Sequence, residues 1–115
     1  MPGAIIERTV TILDGQSLSE EITIEDAVLV SIQPDSAWNT AAISFQARTT
    51  DNALGDIKFE GSELTANAIA AEEYVTFTPG KFAGVQFLKV RSGTSAAAVN
   101  QTGDSVITLI LRGIN

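Results

Sequence analysis

The sequence predicts an all-β fold: a two-sheet antiparallel β-sandwich of the jelly-roll kind, with seven or eight strands and little or no helix. Three observations carry this. β-branched residues run through the whole chain in short alternating stretches, and turn signals separate these at roughly 8–15 residues. Only one segment, Ser62–Glu73, has helical composition. Three connections (49–55, 61–73 and 92–104) are long enough for strands that cross between two sheets.

The elements follow in order. Ile6, Val10 and Ile12 share one side of a first strand with Arg8, while Glu7, Thr9 and Thr11 take the other, and Asp14-Gly15 turns the chain. Leu18, Ile22 and Ile24 alternate with polar residues, as in a half-buried strand, and Glu25-Asp26 breaks it. Ala27–Gln33 is a continuous apolar strand closed by Pro34-Asp35-Ser36, because proline cannot donate to a ladder. In AAISFQART, Ile43, Phe45 and Ala47 oppose Ser44, Gln46 and Arg48. Asp56–Gly61 reads as a short strand. Ser62–Glu73 reads as irregular with at most one helical turn, the other reading being a loop with a short strand around Leu64. Val75 and Phe77 face inward on the next strand, and Pro79-Gly80 is a strong turn. Two strands complete the chain, FAGVQFLKVRS and SVITLILRG, joined by a small-residue loop.

Length and composition bound the rest. A chain of 115 residues is one domain, 1–115, and buries roughly two thirds of its unfolded surface. No cysteine is present, so no disulfide or thiolate metal site is expected; no histidine is present, which removes the commonest general base and metal ligand. No apolar run reaches the ~20 residues of a membrane span, and the first residues lack the shape of a signal peptide. A soluble protein made in the cytosol is the expectation. The net charge is −7, all of it in residues 1–57, where nine acids meet two bases. Nucleic acid and anionic membrane reward basic patches, so neither is an expected partner.

Candidate chemistry is sparse. The adjacent carboxylates Glu20-Glu21, Glu25-Asp26 and Glu72-Glu73 point to opposite faces if they lie in strands, so they do not converge on one bond. The Asp51–Asp56 loop carries hard oxygen ligands without the spacing of a calcium loop. RSGT lacks the phosphate-loop pattern and precedes a strand, not a helix. No catalytic, metal-binding or cofactor-binding residue is assigned. For carbohydrate, Trp38 in a polar segment and Tyr74 are the candidates for stacking on a sugar ring, with a structural Trp38 closing the sandwich end as the other reading.

Association is left. In the last two strands both faces carry apolar residues, which a sheet with one wet face does not need. Val85, Phe87, Lys89 and Arg91 share one face, Phe82, Leu88 and Val90 the other; Ile107, Leu109 and Leu111 oppose Val106, Thr108, Ile110 and Arg112. Apolar groups edged by cations have the composition of an interface. The interface candidates are therefore Val85, Phe87, Lys89, Arg91, Ile110 and Arg112, with a second core under a long loop as the alternative.

The stretches PDSAWNTAAISFQA and FTPGKFAGVQFLKVRSGTSAAAVNQTGDSVITLILRG resemble a small domain that recurs in virion proteins of tailed bacteriophages, with Ala98 where that pattern has proline. The resemblance covers about half the chain. It implies a capsid decoration or cement protein: non-enzymatic, without cofactor, a dimer or trimer bound to the major capsid protein on the outer capsid surface after assembly in the host cytoplasm. Similar domains occur in head fibres and tails, and some share their fold with carbohydrate-binding modules. A tail or fibre domain, or a carbohydrate-binding module for host attachment, is thus the alternative. The resemblance transfers no catalytic or binding residues. Ile5-Ile6 beside the terminus would suit either an edge strand or an arm formed by Met1–Ile5.

Overall fold

A computed structural model of the chain describes residues 3–24 and 26–113. Its strands are β1 (Ile5–Ile12), β2 (Ile22–Thr23), β3 (Ala27–Pro34), β4 (Ala41–Arg48), β5 (Gly55–Asp56), β6 (Lys58–Phe59), β7 (Ser62–Glu63), β8 (Thr65–Ile69), β9 (Val75–Thr76), β10 (Phe87–Ser92) and β11 (Ser105–Gly113), with one 3-10 turn at Pro79–Phe82. The first sheet has the order β1-β11-β3-β9; the second has β2-β10-β4-β5, with β8 also on β4. All pairings are antiparallel. The eight principal strands divide four and four. Successive strands change sheet at every step except β4 to β8, which is the double Greek key of a jelly roll. The small hairpin β6-β7 is inserted at that one exception.

The core is the alternate residues of both sheets. Val10, Ile12, Leu29, Ile32, Ile107, Leu109 and Leu111 come from the first sheet, and Ile43, Phe45, Leu88 and Val90 from the second. This settles the orientation of the two last strands: Leu88 and Val90 point in, and Phe87 and Lys89 point out. A β-bulge at Val30 shifts the register between Ile110 and Leu111, which keeps Ile32 inward after Leu29 without exposing either. Phe45, Phe77 and Phe82 meet edge to face, with centroids 5.1 to 5.7 Å apart.

Three local expectations change. The stretch from Phe82 is not all strand: Pro79 opens the 3-10 turn, Phe82 drops from it into the core, and pairing starts only at Phe87. Ser62–Glu73 is neither helical nor irregular. Glu60 and Gly61, both at positive φ (52° and 87°), form the two-residue turn of the β6-β7 hairpin, and β8 then pairs with β4. Leu64, Ala66 and Ile69 are buried while Ala68, needed for a helical stripe, is exposed. Finally, the stretch from Leu18 pairs as a ladder only at Ile22–Thr23. Between them Ser19 takes over, its N–H donating to Val90 O and its hydroxyl accepting from Val90 N–H. The break expected at Glu25 and the arm expected over Met1–Ile5 fall partly outside the described residues; Ile5 itself opens β1.

Candidate interaction surface

The two sheets have contrasting outer faces. On the second sheet, charged side chains pair with one another. Arg91 is 7% exposed and its guanidinium makes three bonds: Nε to Ser44 Oγ (2.8 Å), Nη1 to Asp56 Oδ1 (2.9 Å) and Nη2 to Glu63 Oε2 (2.7 Å). Glu63 also accepts from Ser95 N–H, so the network ties the 55–63 insertion and the 93–100 loop to the sheet. The Ser44 hydroxyl in turn donates a hydrogen bond to Gly93 O. Arg48 grips Glu21 with two 2.8 Å bonds and lies over the Phe87 ring, 4.4 Å from its centroid. The Arg48 hydrogen bond holds the Glu21 carboxyl below its ordinary range, and the Arg91 hydrogen bond does the same for Asp56.

The six candidate interface residues therefore do not share a surface. Arg91 is an internal strut, not the rim of a contact. Phe87 and Lys89 lie half-buried on the outer face of the second sheet, and Val85 packs against the core. Ile110 and Arg112 lie on the opposite side of the molecule, on the outer face of the first sheet. Sequence could not separate them, because Arg91 finds its carboxylates 28 and 35 residues away.

The outer face of the first sheet is different in kind. The register places Ile5 beside Arg112, Glu7 beside Ile110, Thr9 beside Thr108 and Thr11 beside Val106; β3 adds Val28, Ser31 and Gln33, and β9 adds Thr76. By strand alternation Leu13, one residue past β1, and Tyr74, one residue before β9, continue this face. Among the described residues seven large apolar side chains are exposed, and four of them, Ile5, Leu13, Tyr74 and Val106, belong here. Ile110 sits among them and is 9% exposed, closed in by its neighbours on the sheet. Leu13 and Thr11 also line an open groove of about 560 Å³ with Leu18 and Glu20, whose carboxylate accepts from Thr11 N–H.

The residues that carried the resemblance to virion domains hold one end of the sandwich. Trp38 is 4% exposed and its indole N–H donates to Ile69 O (2.8 Å), so its ring is not available for stacking on a sugar. Gln101, also buried, accepts from Asn39 N–H and donates to Asn39 O and Ser92 Oγ. Gly93 has φ of 91°, and a Cβ there would come within 2.4 Å of Ala97 O. The SAWN and VNQ segments thus meet as one hydrogen-bonded cluster, structural in role. Of the two carbohydrate candidates only Tyr74 is exposed, and it lies on the apolar face.

The acidic pairs at 20–21 and 72–73 lie in connections, not strands, and Glu25 is outside the described residues. Glu20 caps Thr11 while Glu21 takes Arg48, and Glu73 accepts from Ala70 N–H. Among the described residues no three His, Cys, Asp or Glu side chains gather as a metal site, and no helix is long and apolar enough to cross a membrane.

No protein-family model and no curated protein matches the chain. Solved structures resemble it, among them the two that follow. The SPBc2 prophage-derived protein YomS aligns with a TM-score of 0.55 and 15% identity over 96% of both chains. The Yersinia pseudotuberculosis-derived mitogen aligns with a TM-score of 0.46 and 14% identity, over 95% of this chain and 85% of that one. The chain shares its fold with the prophage-derived protein over nearly its whole length; the similarity to the mitogen is too low to carry an argument.

Proposed function

We propose that this protein is a non-enzymatic structural component of a phage virion, which decorates and cements the outer capsid lattice through contacts with its own copies and with the major capsid protein. The observation that carries the reading is the outer face of the first sheet. It carries four of the seven exposed large apolar side chains among the described residues, Ile5, Leu13, Tyr74 and Val106, set among threonines, while on the other sheet Arg48 and Arg91 are bound to carboxylates of the chain. Exposed apolar side chains gathered on one face of a small domain mark a site of association. The fold shared with a prophage-derived protein supports a phage setting, and so does the resemblance to tailed-phage virion domains in the SAWN and VNQ segments. A lattice makes many weak contacts effective, because each bound copy raises the local concentration for the next engagement. Acidic loops such as 13–14, 72–73 and 104 keep the free protein soluble before assembly.

Co-sedimentation with expanded capsids of the phage that carries the gene tests the reading. The expected result is binding that saturates at a fixed number of copies per capsomer. Protein that stays in the supernatant at every ratio would refute it.

A further inference from the structure

We propose that the outer face of the first sheet is where a second copy of this chain docks, related by a two-fold axis, with Glu7 of each copy paired to Arg112 of the other. This deepens, and rests on, the reading of that face as an association surface.

On the second sheet Arg48 and Arg91 are matched to Glu21, Asp56 and Glu63 within the chain. The first sheet's outer face carries one acid, Glu7, and one base, Arg112, and the two are not paired. Arg112 Nη1 donates to Gly3 O at 3.1 Å, and among the described residues the Glu7 carboxylate has no hydrogen bond or ion pair. In a chain of net charge −7 the outward strand residues of this face carry no net charge, so like-charge repulsion between two copies is confined to rim acids such as Glu20.

The register then supplies the symmetry. Ile5 lies opposite Arg112 and Glu7 opposite Ile110. These four side chains form a quadrilateral with Glu7 and Arg112 on one diagonal and Ile5 and Ile110 on the other. A two-fold axis in the plane of the face, close to the Ile5–Ile110 diagonal, sets Glu7 over Arg112 of the second copy, twice. It also brings the two isoleucines onto their own equivalents. An isologous contact needs such a self-complementary patch.

Size fits a small interface. The residues of β1, β3, β9 and β11, each covering about 3.4 Å along the strand and about 4.8 Å across it, span a sheet plane of roughly 440 Å². A standard interface takes about 800 Å² of accessible surface from each partner, and side-chain relief makes accessible surface larger than its plane.

The rival route to self-association, pairing through the open edge of β1, is opposed by the sequence. Antiparallel self-pairing centred on Glu7 sets carboxylate against carboxylate, and centred on Arg8 it sets guanidinium against guanidinium. Arg8 points inward on this edge strand, reaching Thr23 O at 3.2 Å, which is a known guard against edge pairing.

Sedimentation equilibrium of the full chain tests the proposal with a charge swap. Wild type is expected to dimerise. Glu7→Arg alone and Arg112→Glu alone each place like charges together at two symmetric sites, and each should raise the dimer dissociation constant by about ten-fold or more. The double swap Glu7→Arg/Arg112→Glu should restore it to near the wild-type value. Circular dichroism should be unchanged throughout, since both side chains lie on the surface. A monomeric wild type, single variants that dimerise as wild type does, or a double variant no better than the singles would each overturn the proposal. A monomer that still saturates capsids would overturn only this inference; a dimer that ignores capsids would overturn only the virion reading.

Discussion

Replacing Arg91 by methionine tests whether the second sheet's charges form an internal scaffold. The guanidinium is nearly buried and satisfies Ser44, Asp56 and Glu63 together. Methionine fills most of its volume but leaves two carboxylates facing each other without a cation. Removing one member of a fully buried ion pair costs about 3–5 kcal/mol. Here the carboxylates of Asp56 and Glu63 keep 34% and 18% of their exposure, so water screens part of the loss, and about 2–3 kcal/mol is the expected destabilisation. With an unfolding entropy of about 2.1 cal/mol/K per residue, that lowers Tm by about 10 °C. The deficit should depend on pH with a definite sign. Arg91 holds Asp56 below its ordinary value of 3.8, so the stabilisation is present above that value and is lost as pH falls through the depressed one. Urea melts of wild type and Arg91→Met should therefore differ fully at pH 7 and converge only as pH falls below 3.8 and through the depressed Asp56 value. A loss under about 0.5 kcal/mol at pH 7, the range of ordinary surface substitutions, would refute the reasoning, as would a gap that widens in acid.

Other substitutions probe the cluster at the sandwich end. Trp38→Phe removes the indole donor and leaves Ile69 O without it, at a cost of about 1–3 kcal/mol in a denaturant melt. Gln101→Ala releases Asn39 and Ser92 together and should cost about 2–3 kcal/mol, with the largest gain in amide exchange at residues 39 and 101–103. Gly93→Ala forces a side chain to φ of 91° and against Ala97 O, so a fall in Tm is expected although only one methyl is added. The bidentate Arg48–Glu21 pair is partly open to solvent; Glu21→Gln should leave the urea midpoint at pH 7 close to that of wild type.

Much of the fold was legible in the sequence, and the reason is local. Partial alternation in Ile6–Ile12 reports its burial through period two, and the apolar runs Ala27–Gln33 and Ser105–Gly113 are legible as strands, though not which of their faces is the core. The jelly roll was expected from three long connections, but only 92–104 crosses between the sheets: 49–55 leads from β4 to β5 within one sheet, and 61–73 itself holds β7 and β8. What was not legible depends on partners distant in the chain. Arg91 reads as a rim cation until Asp56 and Glu63 fold over it. Of the two readings of Trp38, the structural one, closing the sandwich end, holds, but its partner Ile69 O lies 31 residues away and was not legible. Ser62–Glu73 has helical composition, but the free edge of β4 claims it as a strand once Glu60-Gly61 has turned the chain. The association surface was half found. Ile110 and Arg112 were singled out, yet Ile5, Leu13 and Tyr74 join them only through the sheet order β1-β11-β3-β9, with no sequence proximity to suggest it.

The central claim is that the protein associates on a virion through the outer face of its first sheet. Its most direct test is the number of copies bound per capsomer for the wild type, a first-sheet variant (Tyr74→Asp/Val106→Asp) and a second-sheet variant (Lys89→Glu). The account predicts saturation for the wild type, the same saturation for Lys89→Glu, and at least about ten-fold weaker binding for the first-sheet variant, because the loss of the paired unit removes its lattice avidity. Full binding by the first-sheet variant together with loss in Lys89→Glu would contradict it.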